Sequence, residues 1–463
     1  MLTFVKKYRD SFFYQAAQDC ILIESVINNG GVMMLKKQTM WVSVLAATLA
    51  LTACNAGDEE TGGSNSGDEE ASGESGEVEI FSWWTGAGEE DGLLALIDYF
   101  EEEHPDISVT NAAVAGGAGT NAKAVLATRM QGDDPPSTFQ VHAGEELIQT
   151  WVAADMMEPL NDFYEQEELM DKFPEELIEM VSHDGNIYSV PMNVHRSNVM
   201  FYNKSVFEEN GLEPPTTLDE FFDLAEELEA AGVTPLALGD QEPWTATHIF
   251  ENILLAELGP DGYRDLWNGD ISFEDPQVAP AAEAFAEVLE YVNDDHASRN
   301  WQDSAQLVGE GEAAMINMGD WAHGYFHNDL GLEVNEDYGY FPFPGTEGSF
   351  NVVSDTFGLP KGVDNVEDVE TFLAVLASTE AQDIFNPLKG GIPARIDSDE
   401  SKYDEYGQAA ISDFQSDHLT PSLAHGSAMS EGYLTQANQA VNVFATQRDV
   451  ERFLSSLETA RGE

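Results

Sequence analysis

Apolar and polar positions first become periodic at Val78. Val78, Ile80 and Phe81 read as a short strand, after which Leu93, Leu96, Ile97 and Phe100 fall at i, i+3, i+4 and i+7, the spacing of an amphipathic helix. His104-Pro105 stops that helix before a second strand over 107–109. Strand, helix and strand at this spacing predict a βαβ unit of parallel sheet. A further strand over 137–141 ends at His142-Ala143-Gly144, with a helix after it. Thr217-Leu218-Asp219-Glu220 has the form of a capping box, opening a helix whose apolar face is Leu218, Phe221, Phe222, Ala225 and Leu228. Val369, Phe372, Leu373 and Leu376 mark another helix, and short strands are expected over 314–318 and 356–359. The alternation predicts an α/β chain in two lobes, without a repeat of solenoid or propeller period.

Upstream of Val78 the pattern changes character. Lys36 and Lys37, an apolar stretch over 40–51 and Leu51-Thr52-Ala53-Cys54 form the positive start, short apolar core and small-residue cleavage site of a lipoprotein signal. We therefore expect a signal peptide over 34–53, with Cys54 lipidated and the mature chain held on the outer side of a cell membrane by acyl chains. Residues 1–33 precede an internal start at Met33 or Met34 and are expected to be untranslated. Residues 54–77, rich in Gly, Ser, Asp and Glu, read as an acidic flexible tether. Cys20 and Cys54 are the chain's two cysteines, so with Cys54 assigned to lipid no intrachain disulfide or cysteine-based metal site can be built.

Charge narrows the partners. The chain carries 86 acidic and 19 basic residues. Such a surface repels nucleic acid and anionic lipid heads, and its self-repulsion is relieved by concentrated salt, so a salt-loving source is expected. A monomer is expected as well.

The candidate chemistry lies past the ends of the predicted strands, the edge at which open α/β sheets bind ligands. Trp83-Trp84 follows the first strand and precedes Thr85-Gly86-Ala87-Gly88, and Gln140-Val141-His142 ends another. Aromatic or imidazole residues beside small or amide-bearing ones recur in Asn193-Val194-His195, Asn300-Trp301-Gln302-Asp303, Met318-Gly319-Asp320-Trp321, Ser354-Asp355-Thr356 and Ala424-His425-Gly426. Indole planes suit the C–H faces of a sugar ring, while amides, imidazoles and carboxylates suit its hydroxyls. Each fragment alone is weak, because a single His or Trp is more often a packed structural residue than a ligand contact. So many carboxylates make any glycosidase-like pair uninformative. Gly116–Lys123 lacks Walker A spacing and Gly86–Gly92 misses the dinucleotide fingerprint by one residue. His323 and His327, four apart, have no further ligand at metal-binding spacing. No cofactor, metal or catalytic residue is assigned.

With these residues in view the chain resembles the extracellular solute-binding proteins (family 1) of sugar ABC importers, and within them the glucose/mannose-binding proteins. The resemblance rests on Phe81-Ser82-Trp83-Trp84-Thr85, on the stretch from Asn111 through Gly119 and Asn121 through Met130, on Gly132 through Gly144, and on Tyr188 through Asn198. It implies a two-lobed periplasmic-binding-protein fold of type II-like form, each lobe a mainly parallel sheet flanked by helices and joined by hinge strands. The first lobe would be 78–188 and 346–386, and the second 189–345 and 387–463. Crossovers would fall near 188–191, 344–351 and 385–390. The ligand-binding residues it implies are Trp83, Trp84, Glu89, Gln140, His142 and Asp355 from one side, with Trp301, Trp321, His425, Trp244, His248 and Lys389 from the other. Trp84 with Trp301 or Trp321 would sandwich a pyranose and Trp83 would hold its loop. Glucose or mannose would be handed to the importer's transmembrane subunits. A secreted glycoside hydrolase and a sensory sugar-binding protein remain as alternatives.

Overall fold

The computed structural model describes residues 76–462. The signal segment, Cys54 and all but the last two tether residues lie outside the described residues. Those last two, Gly76 and Glu77, already belong to the first strand, where they pair with Ile107 and Ser108.

Three main sheets carry the two-lobed α/β fold. The first has the order Ile107–Asn111, Gly76–Phe81, Thr138–His142, Asp355–Gly358, Ser189–Pro191, and only Asp355–Gly358 runs against the others. The second, Tyr338–Pro342, Val199–Asn203, Ala313–Asn317, Thr234–Ala237, likewise has one reversed strand, Val199–Asn203. The third joins Ile392–Pro393, Asn193–Arg196, Ser349–Val353 and His418–Pro421.

The expected helices form for the expected reason. Leu93, Leu96 and Phe100 of Ala87–Glu103 are fully buried, and this helix packs against Thr379–Lys389, which brings residues about 300 positions apart together. Thr217 caps Leu218–Ala231 by accepting the Glu220 amide N–H. The return bond of the box is displaced by one residue, because Glu220 accepts from the Thr216 N–H and hydroxyl. Leu224, rather than the half-buried Phe222, completes the buried face. The segment after Gly144 is a π-helix, Glu146–Val152, which turns Glu146 inward.

Two backbone crossings connect the first and third sheets. Met192 separates Ser189–Pro191 from Asn193–Arg196, and Ser354 separates Ser349–Val353 from Asp355–Gly358. Asn193 ties them side by side: its Nδ2 donates to Asp355 Oδ2 at 2.8 Å, its Oδ1 accepts the Asp355 N–H at 2.8 Å, and its carbonyl accepts the Ser354 hydroxyl at 2.7 Å.

Candidate functional site

Strand ends, helix starts and turns converge on a cavity of about 390 Å³. Trp83 enters it from the loop after Gly76–Phe81, Glu89 from the first turn of Ala87–Glu103, and His142 from the end of Thr138–His142. Asp355 is the first residue of its strand and Lys389 the last of its helix. Asn300 accepts the Asp303 N–H as an N-cap and so sets Trp301 at a helix start. Trp321 opens another helix, where its ring folds over Gly319, a position at which a Cβ would lie 2.2 Å from the ring. Gly390, at φ +90°, lets the chain turn after Lys389 at a position where a Cβ would lie 2.5 Å from the Asp320 carbonyl oxygen.

Asp355 is the electrostatic centre. Its Oδ1 accepts from Gln140 Nε2 at 2.6 Å and its Oδ2 from Asn193, while His142 Nε2 and His195 Nε2 stand 3.7 and 3.6 Å away. Burial pushes its carboxyl up, but the neighbouring His195 and the charges of Lys389 and His142 outweigh this and hold it well below the usual carboxylate range. His195 is fixed by Nδ1 to Asp320. Burial lowers the imidazole's pKa and the Asp320 carboxylate more than restores it, leaving it raised. Lys389 bonds Glu89 at 2.7 Å and stands over both the Trp84 and Trp321 rings. Lys123, partly buried beside Trp83, bridges Glu146 at 2.8 Å and Glu431 at 3.0 Å. Further ties across the cavity's mouth run from the Gly117 N–H to Glu242 Oε2 at 2.8 Å and from the Gly88 N–H to Asp329 Oδ2 at 3.2 Å.

Nine of the twelve sequence-derived candidates line the cavity: Trp83, Glu89, His142, Trp244, Trp301, Trp321, Asp355, Lys389 and His425. Three stand behind it. Gln140 spans the Trp83 backbone N–H, at 3.1 Å, and Asp355, and so positions both. His248 contacts His425 from the rear, 3.4 Å between Nδ1 and Nε2. Trp84 is fully buried, 4.5 Å from Phe385 and 5.6 Å from Phe357 between ring centroids. The roles expected of the indole pair are therefore exchanged: Trp83 faces the cavity, packed at 5.0 Å on His142, and Trp84 is core. The reason is that Thr379–Lys389 supplies Phe385 as a lid over Trp84, a contact no local pattern reveals. His195, Gly117, Ala118 and Val353 complete the lining, and His195 had already appeared in an aromatic-and-amide fragment. His323, by contrast, spends both ring nitrogens on Tyr338, at 2.7 Å, and Asp404, at 3.1 Å.

Four indoles around acceptors (Asp355, Glu89), donors (Lys389) and imidazoles that serve as either suit a small polyhydroxylated ring.

Known proteins resemble this chain in sequence and fold. The family model for bacterial extracellular solute-binding proteins matches residues 86–383. An uncharacterized ABC transporter extracellular-binding protein of Pyrococcus horikoshii is 40% identical over 388 residues, covering 83% of this chain and 87% of that protein. A xylose/arabinose-binding protein of Haloferax volcanii is 30% identical over 359 residues, covering 76% and 77%. Among solved structures, a bacterial solute receptor with exclusive preference for β-D-galactopyranose superposes with a TM-score of 0.75 at 20% identity, over 84% of this chain and 98% of that one. The chain belongs to the bacterial extracellular solute-binding protein family.

Proposed function

We propose that this protein captures a single monosaccharide, glucose or mannose, in the cavity between its lobes and delivers it to the transmembrane subunits of an ABC importer. It is a sugar-binding component of such a transporter and acts outside the cytoplasmic membrane. In this reading the lobes are 78–188 with 346–386 and 189–345 with 387–463, and Cys54 carries the lipid that retains the protein at the membrane. The observation that carries it is the cavity itself. Its four indoles are no more than 7% exposed and line it together with Asp355, Glu89 and Lys389, a setting suited to a single sugar ring. Closure follows from contacts that only the joined lobes supply together.

A glycoside hydrolase needs a protonated carboxylic acid at the scissile bond. Asp355 is held ionised and Glu89 is paired with Lys389, so neither lining carboxylate is prepared for that role and binding without catalysis is favoured. Calorimetry in molar salt against glucose, mannose, galactose, xylose and maltose tests the proposal. We expect heat with glucose or mannose at one site per chain; binding of maltose alone, or of xylose in preference to every hexose, would overturn it.

A further inference from the structure

Behind the cavity wall lies a buried chain of polar groups that ligand contact alone does not explain. Glu251, on the same helix as His248, is fully buried with no cation beside it among the described residues. Its Oε2 accepts the backbone N–H of Leu423 and of Ala424, the latter at 3.0 Å, and its Oε1 accepts the Ser197 hydroxyl at 2.7 Å and the Ser422 hydroxyl at 2.9 Å. Ser197 Oγ is also 3.3 Å from His248 Nδ1, and that nitrogen is 3.4 Å from His425 Nε2. His248 Nε2 meets no partner, so the polarity of this ring is decided at Nδ1. The other nitrogen of His425, Nδ1, takes no hydrogen bond among the described residues, and the ring lines the cavity.

We propose that Glu251, Ser197 and His248 form a tautomer relay that sets whether His425 Nδ1 presents a donor or an acceptor to the ligand.

The backbone amides cannot reverse, so Oε2 always accepts and any proton on Glu251 sits on Oε1. When Glu251 is ionised, Ser197 must donate to it. The serine's lone pair then faces His248, which carries its proton on Nδ1, and His425 Nε2 faces that N–H as an acceptor. The single proton of His425 is thereby placed on Nδ1, as a donor into the cavity. When Glu251 is protonated, its O–H donates to Ser197 and Ser197 donates to His248 Nδ1. His248 then carries its proton on Nε2, and its Nδ1 lone pair is shared by the Ser197 O–H and the Nε2–H of His425, whose Nδ1 becomes an acceptor. One proton is taken up in total, at Oε1, and each imidazole is neutral before and after, exchanging the site of its single proton with solvent.

Both states are within reach, since burial raises the Glu251 carboxyl to about 7 despite its four donors. Burial keeps His425 and His248 neutral, lowering both, His248 to about 3. The other ionisable groups acting on this chain are Tyr263 beside Glu251, and His142, Lys123 and Asp355 around His425. None of these offers a hydrogen bond to His248 Nδ1.

The relay rests on His425 being a ligand contact, as read above, but its test needs no sugar. Long-range nitrogen–proton correlation spectra of the full chain, labelled at histidine nitrogen and unliganded in high salt, report the protonated nitrogen of each ring. The expected result is that His248 and His425 both exchange tautomers between pH 9 and pH 5, with one midpoint near neutrality. In Glu251→Gln the amide oxygen takes the two backbone donors and the amide N–H₂ faces Ser197, so His425 should stay in the low-pH form throughout. Ser197→Ala keeps the carboxylate but removes the hydroxyl, and should uncouple the two rings. A wild-type His425 that keeps one tautomer across this range, or an unchanged step in either variant, overturns the relay. Failure to bind any sugar would instead overturn only the reading of the cavity.

Discussion

Alanine at Trp83 and at Trp84 should separate binding from folding. Trp84 is fully buried between Phe357 and Phe385. Its side chain removes about 200 Å² from water, which at about 25 cal/mol/Å² corresponds to roughly 5 kcal/mol. Truncation of a buried tryptophan costs about 3–5 kcal/mol, so Trp84→Ala is expected to lower the unfolding free energy by that amount. Its folded fraction should bind sugar with a loss below about 1 kcal/mol, transmitted through Lys389, which stands 5.7 Å from the ring. Trp83 instead faces the cavity, and losing a desolvated aromatic anchor costs at least about 2 kcal/mol of binding, close to 30-fold in affinity. Denaturant unfolding in molar salt measures the first quantity, and calorimetric titration well below the midpoint measures the second. A Trp84→Ala protein of wild-type stability with lost affinity, or a Trp83→Ala protein of wild-type affinity, would refute the exchange of roles.

Four further outcomes are expected. Asp355→Asn should weaken sugar binding by about 1.5–3 kcal/mol, measured by calorimetry, because a charged acceptor is lost. Asp320→Asn removes the partner that raises His195; that stabilisation is complete below the ordinary imidazole value of 6.5 and is lost as pH rises through the raised one. The stability gap between wild type and this variant should therefore be widest below pH 6.5 and narrow on the alkaline side, and a gap independent of pH would count against it. Lys123→Ala removes the cation shared by Glu146 and Glu431, leaves buried Glu146 the His142 Nδ1 contact at 2.8 Å alone, and should cost about 3–5 kcal/mol in denaturant unfolding. Finally, the melting temperature should rise between millimolar and molar salt, given 86 acidic against 19 basic residues.

Regular elements were legible where one apolar face repeats. Leu93, Leu96 and Phe100, or Val369, Phe372 and Leu373, announce helices because their burial follows a single period. The third sheet was not legible, and its composition explains why. Asn193, His195, Ser349 and Asn351 are buried polar residues on strands of four or five residues, and Ile392–Pro393 spans only two. The alternation they carry, Asn193-Val194-His195 and Ser349-Phe350-Asn351-Val352, lasts only three or four residues, too short to announce a strand. In the site, the residues were visible as chemistry but their depth was not. Whether an indole faces a cavity or a core depended on Phe385, and whether His195 was a site residue depended on Asp320 and Asp355, which lie 125 and 160 positions away in sequence.

Asp355 lies one residue beyond the Ser354 crossing, and Asn193 one residue beyond Met192. The acceptor at the centre of the cavity is thus bolted to the two points where the backbone passes between sheets. A molecule that pulls on Asp355 pulls on the pivot itself, with almost no lever arm. If one sheet rotated against the other about these two crossings, this carboxylate, adjoining both, would move least, and the indoles carried by separate helices, Trp244, Trp301 and Trp321, would move more. Occupancy would then be sensed in two stages: first by a fixed anchor that needs no motion, then by walls that arrive. Exchanging the walls alters which molecule is retained without disturbing the bearing on which they turn.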